Sequence, residues 1–376
     1  MNDEIKQWAL KIFEKIDHKL EVQVARVGEK IPYIPNEMTG LYEEDKGVTD
    51  PVWWTNGFWA GMLWQMYHAT GKPAYKETAE INEVRLDKAF DQYTGLHHDV
   101  GFMWLHTAVA NYRLTENERS KARGLHAAHL LAGRYNPRGG FIRSWNRDRS
   151  GWVIIDSMLN IPLLYWAEEA IGDPRFRYMA EDHADKVMNH IVRPDGSVNH
   201  IGVFDPTNGE LVETPAGQGY ASGSAWSRGQ SWAIYGFALS YLHTGKKEYL
   251  ETAKKVAHYF IAEVSKTDWI PVVDFRSPKN PVMIDTSAGL CAACGLLEIA
   301  KHVDDLEKDL YTDAAINILK ATEANYAIWD EEKDGLIDCA TGSYHDEPWT
   351  EVPIIYSDYY FVEAILRLLD KDFLIW

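Results

Sequence analysis

The sequence predicts an all-α protein, an (α/α)6 barrel in which six helical hairpins close into a toroid. Three observations predict it. Apolar helices rich in small residues alternate with helices that carry one charged face, the alternation recurs along the whole chain, and no stretch alternates apolar and polar residues long enough to build a large sheet.

Five junctions display the repeat: YHATGKPAYKETAEI (67–81), YRLTENERSKARGL (112–125), EEAIGDPRFRYMAEDHA (168–184), YLHTGKKEYLETAKKVA (241–257) and KHVDDLEKDLYTDAAINI (301–318). Each ends an apolar helix, turns through a short polar stretch and restarts as an amphipathic helix, at an irregular period of roughly 45 to 75 residues. The helices before the turns, such as GFWAGMLWQMY, SWAIYGFALSYL and TSAGLCAACGLLEIA, read as an inner ring, and those after the turns as an outer ring. An opening outer helix (about 3–25) and a closing inner one, SDYYFVEAILRLLD, bring the number to about twelve helices, or six hairpins. One domain spanning residues 1–376 is expected, because such toroids reach this length around one core. Short pieces such as WIPVVDF are expected to pair only locally.

Composition narrows the function. The chain has 15 Trp, 20 Tyr and 12 Phe, more aromatic surface than a core of this size requires, and flat ring faces match the C–H face of a sugar. With 56 acidic against 38 basic residues the net charge is −18, which argues against nucleic acid or an anionic membrane as a partner on a broad basic surface. No run approaches the roughly 20 apolar residues of a membrane span, and MNDEIKQWALKIFEKI lacks the pattern of a leader. The expected protein is soluble and cytoplasmic. Its three cysteines fit a reducing compartment: Cys291 and Cys294, C-x-x-C inside GLCAACGLLEIA, read as helix packing, and Cys339 stands alone.

In a toroid the inner helices all run the same way, so their N-termini open on one mouth. The segments that precede them are DPVWWTNGF (50–58), LHHDVGF (96–102), SGWVIID (150–156), GQGYASGSAWSRGQSW (217–232), VMIDTSAG (282–289) and TGSYHDEPWTEVPIIYSDYY (341–360). They hold the richest clusters of Trp, His, Asp, Gly and Tyr in the chain, and helix N-termini favour an anion there.

Asp99, Asp156, Asp285 and Asp358 all stand near starts of inner helices, where each alone reads as a cap. Asp156 departs from that pattern: GWVIIDSMLNIPLLYW surrounds it with apolar residues, and a desolvated carboxyl there keeps its proton. Asp99 across the mouth pushes in the same direction. For LHHDVGF a cap, a metal site and a proton-transfer site all stay open at this point. Adjacent side chains are not expected to converge as i, i+4 pairs do, and no second His pair appears, so neither metal nor cofactor is expected. Trp53, Trp54, Trp145, Trp226 and Trp232 lie beside Gly, Asn and Ser in pre-helix loops, as sugar platforms do. Arg228, placed against the helix dipole, requires an anionic partner, either a nearby Asp or a ligand carboxylate.

These segments resemble the unsaturated glucuronyl hydrolases of glycoside hydrolase family 88. The resemblance rests on WTNGFW (54–59), HHDVGF (97–102), IIDSMLN (154–160), the stretch from Gln218 through SAWSRGQSW (224–232) to AIYGF (233–237), and GSYH (342–345), and it spans nearly the whole chain. It implies an (α/α)6 barrel that removes a 4,5-unsaturated uronic acid from the non-reducing end of oligosaccharides made by polysaccharide lyases. By its motifs Asp156 would be the catalytic acid/base and Asp99 the second carboxylate. Ring platforms and polar contacts to the substrate would come from Trp54, His98, Trp145, His200, Gln218, Trp226, Arg228, Trp232 and Tyr344. One departure is visible: Asn56 stands where the family often has Asp.

Two other functions remain open on the same fold, an inverting glycosidase acting at C1 and a sugar-binding toroid without turnover; the desolvated Asp156 argues against the second. The segment from Ser343 to Leu366 carries five acidic residues and no Lys or Arg. If it lines the aglycone side, sulfated substrates are expected to be poor ones.

Overall fold

A computed structural model describes residues 3–376; residues 1 and 2 of the expected domain lie outside it. Helix α1 (Asp3–Val27) shows how the outer ring arises: Ala9, Ile12, Ile16, Leu20, Val24 and Val27, three or four apart, form one buried stripe. The other outer helices are α3 (Pro73–Arg85), α6 (Glu118–Ala132), α8 (Arg175–His190), α10 (Lys247–Val264) and α12 (Asp305–Tyr326).

The inner ring consists of α2 (Phe58–Thr70), the composite α4 (Val100–Trp104) and α5 (Ala110–Thr115), α7 (Pro162–Ile171), α9 (Ser227–Thr244), α11 (Thr286–Ala300) and α13 (Ile355–Leu368). A π-helical turn, Leu105–Val109, joins α4 to α5. Every residue of α11 and of α13 is buried, which is why these helices are mostly apolar, and their few charges pair inside the ring, Arg367 of α13 with Glu363 and with Glu298 of α11. Helix α13 packs on both α11 and α2, and α1 packs on α13, so the last hairpin meets the first and the (α/α)6 barrel closes.

The polar turns between the rings have a physical cause. Gly71, Gly172 and Gly245 end α2, α7 and α9 with φ near +70°, a left-handed conformation that lets each chain reverse into its outer helix. Cys291 and Cys294 are buried free thiols inside α11, as packing residues should be.

Two small sheets were not visible in the sequence. β1 (Tyr135–Asn136) pairs with β2 (Phe141–Ile142), and β3 (Trp152–Ile154), β4 (Ile201–Phe204) and β5 (Leu211–Glu213) form an antiparallel sheet. Strands of two to four residues are too short to carry an alternation signal. WIPVVDF does pair locally, Val272 with Ile284 and Asp274 with Trp226. The C-terminal segment turns back between the inner helices: Trp376 is fully buried, its indole parallel to Tyr360, and its Nε1 donates to Glu363 Oε2 at 3.1 Å. Among the described residues no helix is long and apolar enough to cross a membrane.

Candidate active site

Asp156 owes its position to strand register. Ile154 of β3 lies opposite Ile201 of β4, the Ile155 N–H donates to His200 O at 3.0 Å, and the chain then enters a 3-10 turn, Ile155–Leu159. His200 is thereby paired with Ile155, the residue before Asp156. The turn is held from behind, since Ser157 Oγ donates to Ile154 O at 2.5 Å and lies 2.7 Å from His183 Nε2 on α8. The Ile142 N–H fixes the other nitrogen of that ring, Nδ1, at 2.9 Å.

Asp99 occupies the cap position of α4 but caps nothing with its side chain. Asn160 takes hold of it instead: Nδ2 donates to Asp99 Oδ1 at 2.9 Å while Oδ1 accepts the Phe102 N–H at 2.8 Å. Gly101 makes this possible. A Cβ there would stand 2.4 Å from Asn160 Cα and 2.5 Å from its carbonyl oxygen.

His98 is fully buried, with Nε2 3.4 Å from Asp99 Oδ1 and 3.6 Å from Asp156 Oδ1, so both carboxyls flank one imidazole. His97 Nδ1 is 3.3 Å from the other oxygen of Asp99. This corrects the expectation that adjacent side chains diverge here: ligand-capable atoms of His97, His98 and Asp99 lie within 4.8 Å of one another, because the chain turns at Asp99 and lets two neighbours close on one carboxylate.

Burial, and then the neighbouring Asp99 carboxylate, raise the Asp156 carboxyl well above the ordinary Asp range. Burial raises Asp99 as well, against the pull of His97 and the Asn160 hydrogen bond. Burial lowers both imidazoles, His98 well below its usual value. Burial thus favours the protonated form of Asp156 and the neutral form of His98, whose Nε2 lies between the two carboxyls. Asp156 Oδ1, both His98 nitrogens and His200 Nε2 are buried without a hydrogen-bond partner in the protein. Such a concentration of unpaired polar atoms is characteristic of a ligand site.

The remaining sequence candidates gather around this centre. The Gln218 N–H donates to His200 Nδ1 at 2.9 Å, its Nε2 to Gly342 O at 2.6 Å, and Tyr344 N to Gln218 O at 2.9 Å, which joins the loops around 218 and 342. Trp54 is part-exposed and stacks on Tyr356. Trp145, also part-exposed, follows Ser144, whose carbonyl accepts the His98 N–H at 3.2 Å. Trp226 and Trp232 are each only 2% exposed, with ring faces taken up by His200, Arg228 and one another, whereas Trp54 and Trp145 are part-exposed, although Trp145 stacks on Trp152. Arg228 has no exposed surface. Its partner is Asp285, at 2.7 Å, and it also holds the carbonyls of Thr341 and Gly342.

A model of glycosyl hydrolase family 88 matches residues 34–242. An unsaturated glucuronyl hydrolase from Bacillus sp. (strain GL1) is 38% identical over 91% of this chain and 92% of its own. The chain belongs to glycosyl hydrolase family 88. The crystal structure of the unsaturated glucuronyl hydrolase from Bacillus sp. GL1 superposes on this hydrolase with a TM-score of 0.89 at 36% identity, covering 96% of each chain. The Streptococcus agalactiae unsaturated glucuronyl hydrolase superposes with a TM-score of 0.90 at 30% identity, over 100% of this chain and 94% of that one.

In this family 88 hydrolase the departure at position 56 has a local explanation. Asn56 Nδ2 donates to the carbonyls of Asp50 and Pro51, at 3.0 and 3.2 Å, which an ionised Asp cannot do. Of the four aspartates read as caps, Asp285 does cap its helix, accepting from Ser287 N. Asp358 instead accepts the N–H groups of Leu336 and Ile337 and the Tyr42 hydroxyl, and so anchors a loop. Sequence reasoning missed the roles of Asn160, Ser157 and His183. Asn160, a polar residue in an apolar run four positions after Asp156, carried a usable signal, whereas His183 lies on an outer helix and carried none.

Proposed function

We propose that this glycoside hydrolase releases 4,5-unsaturated uronic acid from the non-reducing end of oligosaccharides by hydrating its enol ether. The observation that carries this reading is the buried carboxyl pair, Asp156 and Asp99 on either side of His98, with the Asp156 carboxyl raised well above the ordinary Asp range. In the substrate, C5 bears the ring oxygen, so protonation of C4 by Asp156 forms a C–H bond and leaves an oxocarbenium-like cation at C5. Asp99 offsets that charge. Asp156, now a carboxylate, takes a proton from water as the oxygen bonds to C5. The hemiketal then opens: the C5 to ring-oxygen bond breaks to a ketone, and C1 collapses to an aldehyde with loss of the aglycone. One water is consumed, and the steps require only proton transfer.

Trp54 and Trp145 offer faces to the sugars, His98, His200, Gln218 and Tyr344 offer polar contacts, and Trp226, Trp232 and Arg228 wall the cleft. Residues 1–376 act as one catalytic unit. The three free cysteines support the cytoplasm as its compartment. Reaction in deuterated water tests the chemistry: this route puts one deuterium on C4 of the released sugar and leaves a saturated analogue intact. Cleavage of the saturated analogue with C4 unlabelled would instead indicate an inverting glycosidase acting at C1.

A further inference from the structure

The mouth carries a feature that the acid chemistry does not use. Between residues 134 and 149 there are five arginines, Arg134, Arg138, Arg143, Arg147 and Arg149, and one acidic residue, in a chain whose net charge is −18. Among the described residues none of the five forms an ion pair with a carboxylate, although other arginines such as Arg123 and Arg367 do. Arg134 is spent on loop structure: it donates to the carbonyls of Arg143, Ser144 and Trp145 and to Asn146 Oδ1, at 2.8 to 3.0 Å. Arg143 donates to Arg147 O and keeps a buried Nε without a partner. The Arg149 guanidinium rests 4.5 Å from the Trp145 ring and 4.6 Å from that of Trp152.

Arg134, Arg143 and Arg147 line a cavity of about 1000 Å³ together with His97, Tyr135 and Asn146, and Arg149 follows them in the chain. The cavity lies next to the catalytic centre: its lining includes His97 and Val100, the chain neighbours of His98 and Asp99, and the His98 N–H is bonded to Ser144 O in the arginine segment. Cations crowded together without counterions cost stability unless an anion offsets them. In a strongly acidic protein they also supply the local attraction that an acidic substrate otherwise lacks.

We propose that the arginine segment and its cavity form an aglycone subsite for a second anionic group on the substrate. Two sources have that chemistry: a sulfate ester on the adjacent sugar, or the carboxylate of the next uronic acid in a longer oligosaccharide. Both present acceptor oxygens that a guanidinium engages. The expectation of poor sulfate acceptance rests on the segment from Ser343 to Leu366, of which Asp358 and Glu363 are buried inside the ring, and the arginines stand elsewhere, on the segment bonded to His98. This inference rests on the proposed hydrolysis of unsaturated uronides.

The test compares kcat/KM of wild type and the triple variant Arg143→Gln, Arg147→Gln, Arg149→Gln on three substrates. These are an unsaturated disaccharide with an uncharged aglycone, its sulfated counterpart, and an unsaturated tetrasaccharide with a free internal uronate. The readout is the ratio of anionic to uncharged substrate on the same preparation, so a partly misfolded fraction cancels. The ratio is expected to fall about tenfold in the variant, and in wild type to fall with added salt. A fall confined to the sulfated disaccharide assigns the site to sulfate, and one confined to the tetrasaccharide assigns it to the uronate. An unchanged ratio for both anionic substrates overturns the subsite while hydrolysis stands. A wild type that turns over none of the three overturns the proposed function and the subsite together.

Discussion

Asp156 and Asp99 share one buried site, and each carboxyl is raised by it, Asp156 the more strongly. As an acid, Asp156 works only while protonated, so activity is lost as pH rises through its pKa. The Asp99 charge helps to keep that proton in place. Asp99→Asn therefore lowers the Asp156 pKa and moves the alkaline limb of the kcat profile to lower pH. It also reduces kcat by roughly 10²- to 10⁴-fold, because the cation loses its counter-charge. A pH–rate profile checks both; an alkaline limb that stays in place contradicts the coupling.

Gly101 and Asn160 form a second pair on which Asp99 depends. In Gly101→Ala the new methyl meets backbone atoms of Asn160, which cannot swing aside as a side chain can. The expected cost is about 1–3 kcal/mol of stability, read by thermal or denaturant unfolding. A lower kcat is expected as well, since displacement of Asn160 frees Asp99. Asn160→Asp, which removes the donor but not the fit, should lower kcat without the Gly101→Ala packing loss.

Asp358 governs stability rather than chemistry. Burial raises its pKa from an ordinary 3.8 to about 7. The folded state thus holds a proton that the unfolded state releases, and stability falls as pH rises between about 4 and 7, by at most about 1.4 kcal/mol per pH unit. An amide at this position still accepts the Leu336 and Ile337 N–H groups and has no proton to lose. Asp358→Asn should therefore flatten the dependence of the melting temperature on pH in that window. An unflattened dependence contradicts the assignment to Asp358.

The ring architecture was legible because it is written in periodicity: the stripe of α1 and the largely apolar, wholly buried α11 report on their surroundings over many residues. The mouth was legible for a related reason, since helix direction alone put Asp99, Asp156 and Arg228 at one end. What depended on contacts across the chain was not legible. Nothing local shows that Ile154 lies opposite Ile201, and that register is what pairs His200 with Ile155, next to Asp156 in the chain. The convergence of His97 and His98 on Asp99 depends on a turn that adjacent positions do not reveal. Trp226 and Trp232 read as platforms because they sit among loop residues, but only the packed structure shows Arg228 and His200 against them. The inward path of Trp376 was hidden because a chain end carries no periodicity.

The most direct test of the central claim is turnover of an unsaturated disaccharide by wild type and Asp156→Asn, followed through the ultraviolet absorbance of the conjugated double bond, with substrate binding measured in parallel. An amide in place of the acid keeps the shape of the site and removes its proton donor. The predicted result is loss of absorbance with wild type, and a variant that binds with similar affinity but turns over at least about a thousandfold more slowly. A variant that consumes the double bond at the wild-type rate would contradict the assignment of Asp156 as the proton donor.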